Sequence, residues 1–82
     1  MKILPLHPEL EEYLKKRRLS AKYGKQKRLF EQNLFHPSLN VELLEPAHMR
    51  IFSFRVDRKY RAIFIYHSRQ VVEIIDINNH YR

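Results

Sequence analysis

RIFSFRVDRKYRAIFIY, residues 50–66, decides the fold. Its first seven residues alternate, with Phe52, Phe54 and Val56 on one face and Ile51, Ser53 and Arg55 on the other. A period of two is the mark of a strand whose faces meet different surroundings. Asp57, Arg58 and Lys59 read as a tight turn. Residues 60–66 return as a second strand, with Tyr60, Ala62, Phe64 and Tyr66 opposed to Arg61, Ile63 and Ile65. After a second turn at 67–70, VVEIIDINNHYR (71–82) opens as a buried strand of Val71, Val72, Ile74, Ile75 and Ile77. Three consecutive strands with short turns make an antiparallel meander.

Upstream the period changes. Residues 2–6 suit a short first strand, and Pro5 confines it to an edge. Pro8 suits the first turn of a helix. Glu9, Glu11 and Glu12 at its start and Lys15, Lys16, Arg17 and Arg18 at its end complement the helix macrodipole, while Leu10, Tyr13 and Leu14 share a face. Ser20 is the expected N-cap of a second helix that runs to about His36 and is stopped by Pro37. Its apolar stripe is Tyr23, Leu29, Phe30 and Leu34, with Gly24 a weak point. HPSLNVELLEPAH, 36–48, reads as a connection with two prolines and one short apolar cluster.

The expected fold is a single α+β domain, 1–82, with two N-terminal helices packed on one face of a small curved, mainly antiparallel sheet. The aromatic face of Phe52, Phe54, Tyr60 and Phe64 belongs under the helices. The opposite face then carries Arg55, Arg61 and, by alternation from Val72 through Ile74 and Asp76, His80.

Eighty-two residues bury only about 60–65% of the unfolded surface. The absence of cysteine rules out disulfides and thiolate zinc sites as supports. The first apolar stretch is too short for a signal peptide or a membrane span, so a soluble, cytoplasmic protein with no membrane partner is expected. Sixteen Lys and Arg against nine Asp and Glu give a formal charge of +7, which favours a polyanionic partner, nucleic acid first and acidic protein second. His7, His36, His48 and His67 lie scattered without metal-ligand spacing, and neither metal nor cofactor is expected.

FSFRVDRKYRAIFIY (52–66), followed by a strand ending in His80 and Tyr81, resembles the RelE/ParE superfamily of bacterial type II toxins. The likeness runs through nearly the whole chain in order and length: strand, helix pair, a His-Pro segment with a following Leu, and the Arg-rich meander. It implies a toxin neutralised by a cognate antitoxin that wraps the helices and blocks the arginine face. Some families of this fold are ribosome-dependent mRNA endonucleases and others poison gyrase without nuclease activity. The ending is similar to that of the YoeB branch of nucleases, in which the histidine and a strand arginine are catalytic. Carried over, these are His80 and Arg61, with Tyr81 beside His80 and Arg55 similar to the basic residue one strand earlier. The branch also uses a glutamate in the preceding connection, for which Glu45 is the nearest match. Arg82, after the His-Tyr pair, departs from the pattern.

These residue types suit RNA cleavage by the ribose 2′-hydroxyl. A base must take its proton, a donor must protonate the leaving 5′-oxygen, and the added negative charge must be stabilised. Arg61 and Arg55 fit the last role because a guanidinium stays charged and forks onto two phosphate oxygens. His80 fits the acid, Glu45 the base, and Tyr81 a stacking or phosphate-orienting role. Arg58 and Lys59 join the phosphate-binding set. Each also has a plainer reading: Arg55 as a surface arginine, His80 as a solvated terminal residue, and Glu45 as a turn residue before proline. KKRRLSAKYGKQKR, 15–28, holds eight basic residues in fourteen: Lys15, Lys16, Arg17, Arg18, Lys22, Lys25, Lys27 and Arg28. A solvated helical face is the ordinary explanation of such a run. No opposite charge relieves it within the run, so the functional expectation is an anchor to ribosomal RNA, on a surface that an acidic antitoxin segment can share.

Overall fold

The structure, a computed structural model, describes residues 1–80. The alternating stretch becomes β3 (Phe52–Arg55) and β4 (Arg61–Ser68), and the C-terminal apolar run becomes β5 (Val71–Asn78). Before them come β1 (Lys2–Ile3), α1 (Pro8–Lys16), α2 (Ser20–Gln32) and β2 (Glu42–Leu43), with single 3-10 turns at Pro37–Leu39 and Ala47–Met49. The sheet order is β1-β5-β4-β3-β2; β1 pairs parallel to β5 and every other pair is antiparallel. This is the expected α+β arrangement, with the helices on one face of a mainly antiparallel sheet.

Phe30 of α2 explains why the two layers stay together. It is fully buried, and its ring centroid lies 5.1 Å from both Phe54 and Phe64. Leu10, Leu14 and Tyr23 from the helices and Val72, Ile74 and Ile77 from β5 complete the same core. Truncating Phe30 to alanine would cost about 3–5 kcal/mol, a large part of what so small a domain has to lose. Tyr60 is half-buried and packs edge-on to Tyr13, 6.2 Å between centroids.

Four expectations change. The second helix stops at Gln32, not near His36, because Asn33 takes an extended backbone. Its N-cap is Leu19, and Ser20 is the first helical residue, with no side-chain cap. Leu19 is placed by the end of α1 instead: its N–H reaches Leu14 O at 2.8 Å and Arg18 N–H reaches Lys15 O at 3.1 Å, with Arg18 left-handed at φ 56°. That is a Schellman stop with arginine where glycine is usual. The connection from 36 to 48 is not merely a link, since it contributes β2 as an edge strand.

The fourth change concerns β5. Its register against β4 shifts between Ile63 and Phe64, so that Ile63 faces Asp76 while Phe64 faces Ile74. Ile75 falls in the gap and is 39% exposed. The straight alternation from Val72 through Ile74 to Asp76 is therefore broken. Val72 and Ile74 belong to the helix-side core, and the bulge turns Asp76 and Asn78 to the opposite face.

Candidate functional site

Directly paired residues in neighbouring strands project to the same side of a sheet. On the side away from the helices the registers therefore align two rows. Arg55, Arg61 and Asn78 form one, across β3, β4 and β5; Glu42, Ser53, Ile63 and Asp76 form the other, across β2 to β5. Arg61 sits at the centre and is 5% exposed.

Burying a guanidinium is costly unless its donors are met, and here most are. Arg61 Nε donates to Ser53 Oγ at 2.8 Å. Nη2 donates to the carbonyls of Asn40 and Ser53 and pairs with Glu42 Oε1 at 3.2 Å. Asn40 presents its carbonyl from a left-handed backbone, φ 44°, a conformation asparagine tolerates better than most residues. Among the described residues Nη1 has no hydrogen-bond partner. Burial pulls the Arg61 pKa below its ordinary value; Glu42 opposes that and Arg55 adds to it.

Glu42 is the residue that sequence reasoning missed. Glu45 is exposed, and no hydrogen bond or ion pair joins it to a described residue, whereas Glu42 is brought to Arg61 by its pairing with Ser53. The one signal was the alternation of Val41, Glu42 and Leu43, which in a two-residue strand is too short to register as periodicity. Glu42 remains 44% exposed, so solvent or a ligand reaches its carboxylate.

His80 follows the end of β5 and is exposed. Its backbone N–H donates to Asn78 Oδ1 at 3.0 Å, and Asn78 Nδ2 donates to Asp76 Oδ2 at 2.6 Å. This chain of hydrogen bonds sets the direction in which the backbone leaves the sheet, starting from the cross-strand partner of Arg61. Tyr81 lies outside the described residues.

Arg55 is exposed and makes no ion pair with a described residue. Its carbonyl accepts from Gln26 Nε2 at 2.8 Å, and the same amide donates to Ser38 O at 3.1 Å, which pins α2, the first 3-10 turn and β3 together. Beside it runs an open groove bordered by Lys22, Lys25, Arg55 and Arg58, and Lys59 lines its continuation. Asp57 is the single acid there. It caps the turn by accepting from the Lys59 and Tyr60 amides, both at 2.8 Å, and it pairs with Lys22 at 3.6 Å. Burial raises its pKa, but those amides and Lys22 outweigh it and hold the carboxyl below the usual range.

The basic run is not confined to one groove. Lys22 and Lys25 border the groove, and Lys27 lines a different cleft with Lys2, Glu11 and Glu31. The Arg17 guanidinium lies 3.6 Å from the Tyr13 ring centroid. Lys15, Lys16, Arg18 and Arg28 are exposed. Among the described residues no three His, Asp or Glu converge as metal ligands, and no helix is long and apolar enough to cross a membrane.

Solved structures provide the comparison. A YoeB/ParE toxin from Agrobacterium tumefaciens superposes with a TM-score of 0.71 at 21% identity, over 99% of this chain and 100% of that one. A chain of the YoeB-YefM complex from Staphylococcus aureus superposes with a TM-score of 0.68 at 16% identity, over 99% and 98%. A structure described as the heterotetrameric complex of that toxin-antitoxin pair matches equally well. No protein-family model and no curated protein matches the sequence. At these identities the likeness is one of fold alone, shared with the YoeB/ParE and YoeB toxin structures.

Proposed function

Starting from the RelE/ParE toxin fold, we propose that the chain is the toxin of a type II toxin-antitoxin pair and a metal-independent endoribonuclease acting on messenger RNA at the ribosome. The observation that carries the reading is the Arg61–Glu42 pair, a cation and a carboxylate held together on the face of the sheet away from the helices. Arg61 engages Glu42 through one carboxylate oxygen and leaves the other open to take the proton of the 2′-hydroxyl. Nη1 of Arg61 and the exposed guanidinium of Arg55 stabilise the charge that develops at phosphorus. His80 protonates the departing 5′-oxygen, and Tyr81 stacks on a base. Arg58, Lys59, Lys22 and Lys25 track the phosphate backbone through the groove.

The partner assignment follows from charge and from the neighbours' names. Two of the similar structures are YoeB-YefM toxin-antitoxin complexes. A chain of formal charge +7 suits an acidic antitoxin, and the same charge suits ribosomal RNA. The proposed setting is the bacterial cytoplasm.

The test is induction of the wild type, Glu42→Gln and His80→Ala in bacterial cells, with primer extension on a highly translated message and gyrase supercoiling assayed in parallel. Cuts within translated codons that disappear in both variants are expected. Intact message with inhibited supercoiling would instead make the chain a gyrase-directed toxin and the arginine face a protein-binding surface.

A further inference from the structure

A second basic and aromatic cluster lies at the other end of β4. Tyr66, five residues from Arg61 and on the helix side of the sheet, is 38% exposed where the helices no longer cover it. Its ring stands edge-on to Phe52 at 5.3 Å and tilted to Phe64 at 5.9 Å, so the rings form a rigid step rather than a mobile side chain. Arg50 lies over the Phe52 ring, its guanidinium 5.1 Å from the centroid. Arg50, Tyr66, Ser68 and Arg69 line a pocket of about 370 Å³.

Two features of this pocket point the same way. Its volume is within the range that holds a small organic ligand. No acid lines it, and neither Arg50 nor Arg69 makes an ion pair with a described residue; the group against the Arg50 guanidinium is the Phe52 ring. Arg50 is left-handed at φ 54° because it caps the Ala47–Met49 turn, its N–H donating to Ala47 O, and this fixes where its side chain leaves the backbone. An uncharged apolar ligand would leave both guanidiniums unanswered, and an acidic side chain would leave the aromatic step unused. A planar ring joined to a phosphate satisfies both, by stacking on the aromatic and by charge-assisted hydrogen bonds to the arginines.

We propose that the pocket formed by Arg50, Tyr66, Ser68 and Arg69 is a nucleotide-binding site, distinct from the Arg61 face, which stacks a nucleobase on Tyr66 and holds the attached phosphate between the two guanidiniums. Ser68 faces the same pocket and offers a hydroxyl to the sugar or phosphate. The site is independent of the proposed cleavage chemistry and would bind a nucleotide whether or not the chain is a nuclease.

Adenosine monophosphate is the probe, titrated into the full chain and followed by NMR at the tyrosine ring and arginine Nε–H signals. Ribose 5-phosphate and an Asp/Glu-rich peptide serve as comparators. The expected result is a set of shifts confined to Tyr66, Arg50 and Arg69, at least several-fold weaker with ribose 5-phosphate. Binding should fall about tenfold in Tyr66→Leu and in Arg69→Ala and be retained in Tyr66→Phe. Equal shifts with ribose 5-phosphate would reduce the pocket to a phosphate site and overturn the stacking. Shifts with the acidic peptide alone would make it a protein-docking surface, and shifts only at Arg55 and Arg58, or none, would remove the site.

Discussion

Arg61 and Arg55 face each other across β4 and β3, yet they are held in opposite ways. Arg61 is buried and fastened to Ser53, Asn40 and Glu42. Arg55 is exposed, and only its backbone is fixed, through Gln26. The first arrangement fixes a cation's position and offsets its charge; the second leaves the charge whole and the side chain free to move. Positioned donors act where charge develops, whereas uncompensated surface cations act at long range and are weakened by salt. The pair thus divides geometry from attraction, and substitutions at the two positions should fail differently.

The largest effect is expected at Arg61. Arg61→Ala should lower the cleavage rate by about 10²–10³, the usual loss when one positioned donor to a developing charge is removed. It also strands the hydrogen-bonding groups of Ser53 and Asn40, at about 1–3 kcal/mol of stability. Arg61→Lys separates position from charge, because an ammonium cannot reach Ser53, Asn40 and Glu42 together as the planar fork does. Single-turnover cleavage by Arg61→Lys should therefore stay far below wild type at near-normal affinity. Full activity would show that Arg61 works by charge alone and would erase its contrast with Arg55.

Asn78 comes next. Asn78→Ala removes the acceptor of the His80 amide and the donor to Asp76 while leaving Arg61 and its partners in place. If His80 is the general acid as proposed, a loss of about tenfold in rate is expected, within the range for displacing a group that contributes about 10²–10⁴. Faster hydrogen exchange at the His80 amide should accompany it. Normal exchange with lost activity would place the role of Asn78 at Arg61 instead.

Arg55→Ala is expected to act more gently. Weaker RNA affinity regardless of sequence, with the slope of log affinity against log salt reduced by about one, is the signature of one lost phosphate contact. Lys22→Ala and Lys25→Ala should each do the same. An unchanged salt slope at Arg55 would mean that it too is a positioned group.

How far the sequence disclosed this arrangement depended on the length of each pattern. The alternation at 50–66 specified β3 and β4, their faces and the aromatic layer that meets Phe30, because seven or more residues of period two admit few other readings. Arg55 and Arg61 were legible for the same reason. Glu42 was not, since its strand has two residues and its place beside Arg61 depends on pairing with Ser53, a non-local event that leaves no local trace. His80 was expected on the arginine face through an alternation that the β5 bulge interrupts, and the bulge was invisible because VVEIID is apolar on both parities. The basic run was legible as charge but not as surface: a helix distributes residues 22, 25 and 27 around its axis, so Lys27 parts from the other two.

The smallest effect is expected in a third charged cluster, which resembles neither arginine. Glu73 on β5 accepts from His67 Nε2 at 2.7 Å and from His7 Nε2 at 2.6 Å, joining the β1–α1 connection to the sheet through a half-buried carboxylate whose histidine partners are exposed. The bond from His67 and then that from His7 hold its carboxyl below the usual range. A group whose folded pKa is depressed stabilises the fold above its unfolded pKa, about 4.3 for glutamate, and loses that contribution as pH falls through the folded value. The difference in thermal midpoint between wild type and Glu73→Gln should therefore shrink as the pH falls below about 4, which melts in acid would measure. Because both histidine partners are exposed, the difference should also shrink in salt, whereas the Arg61–Glu42 pair, largely shielded on the arginine side, should hold. A Glu73→Gln difference that survives both acid and salt would mean that the cluster is held by packing, and that exposure is not what separates it from the Arg61–Glu42 pair.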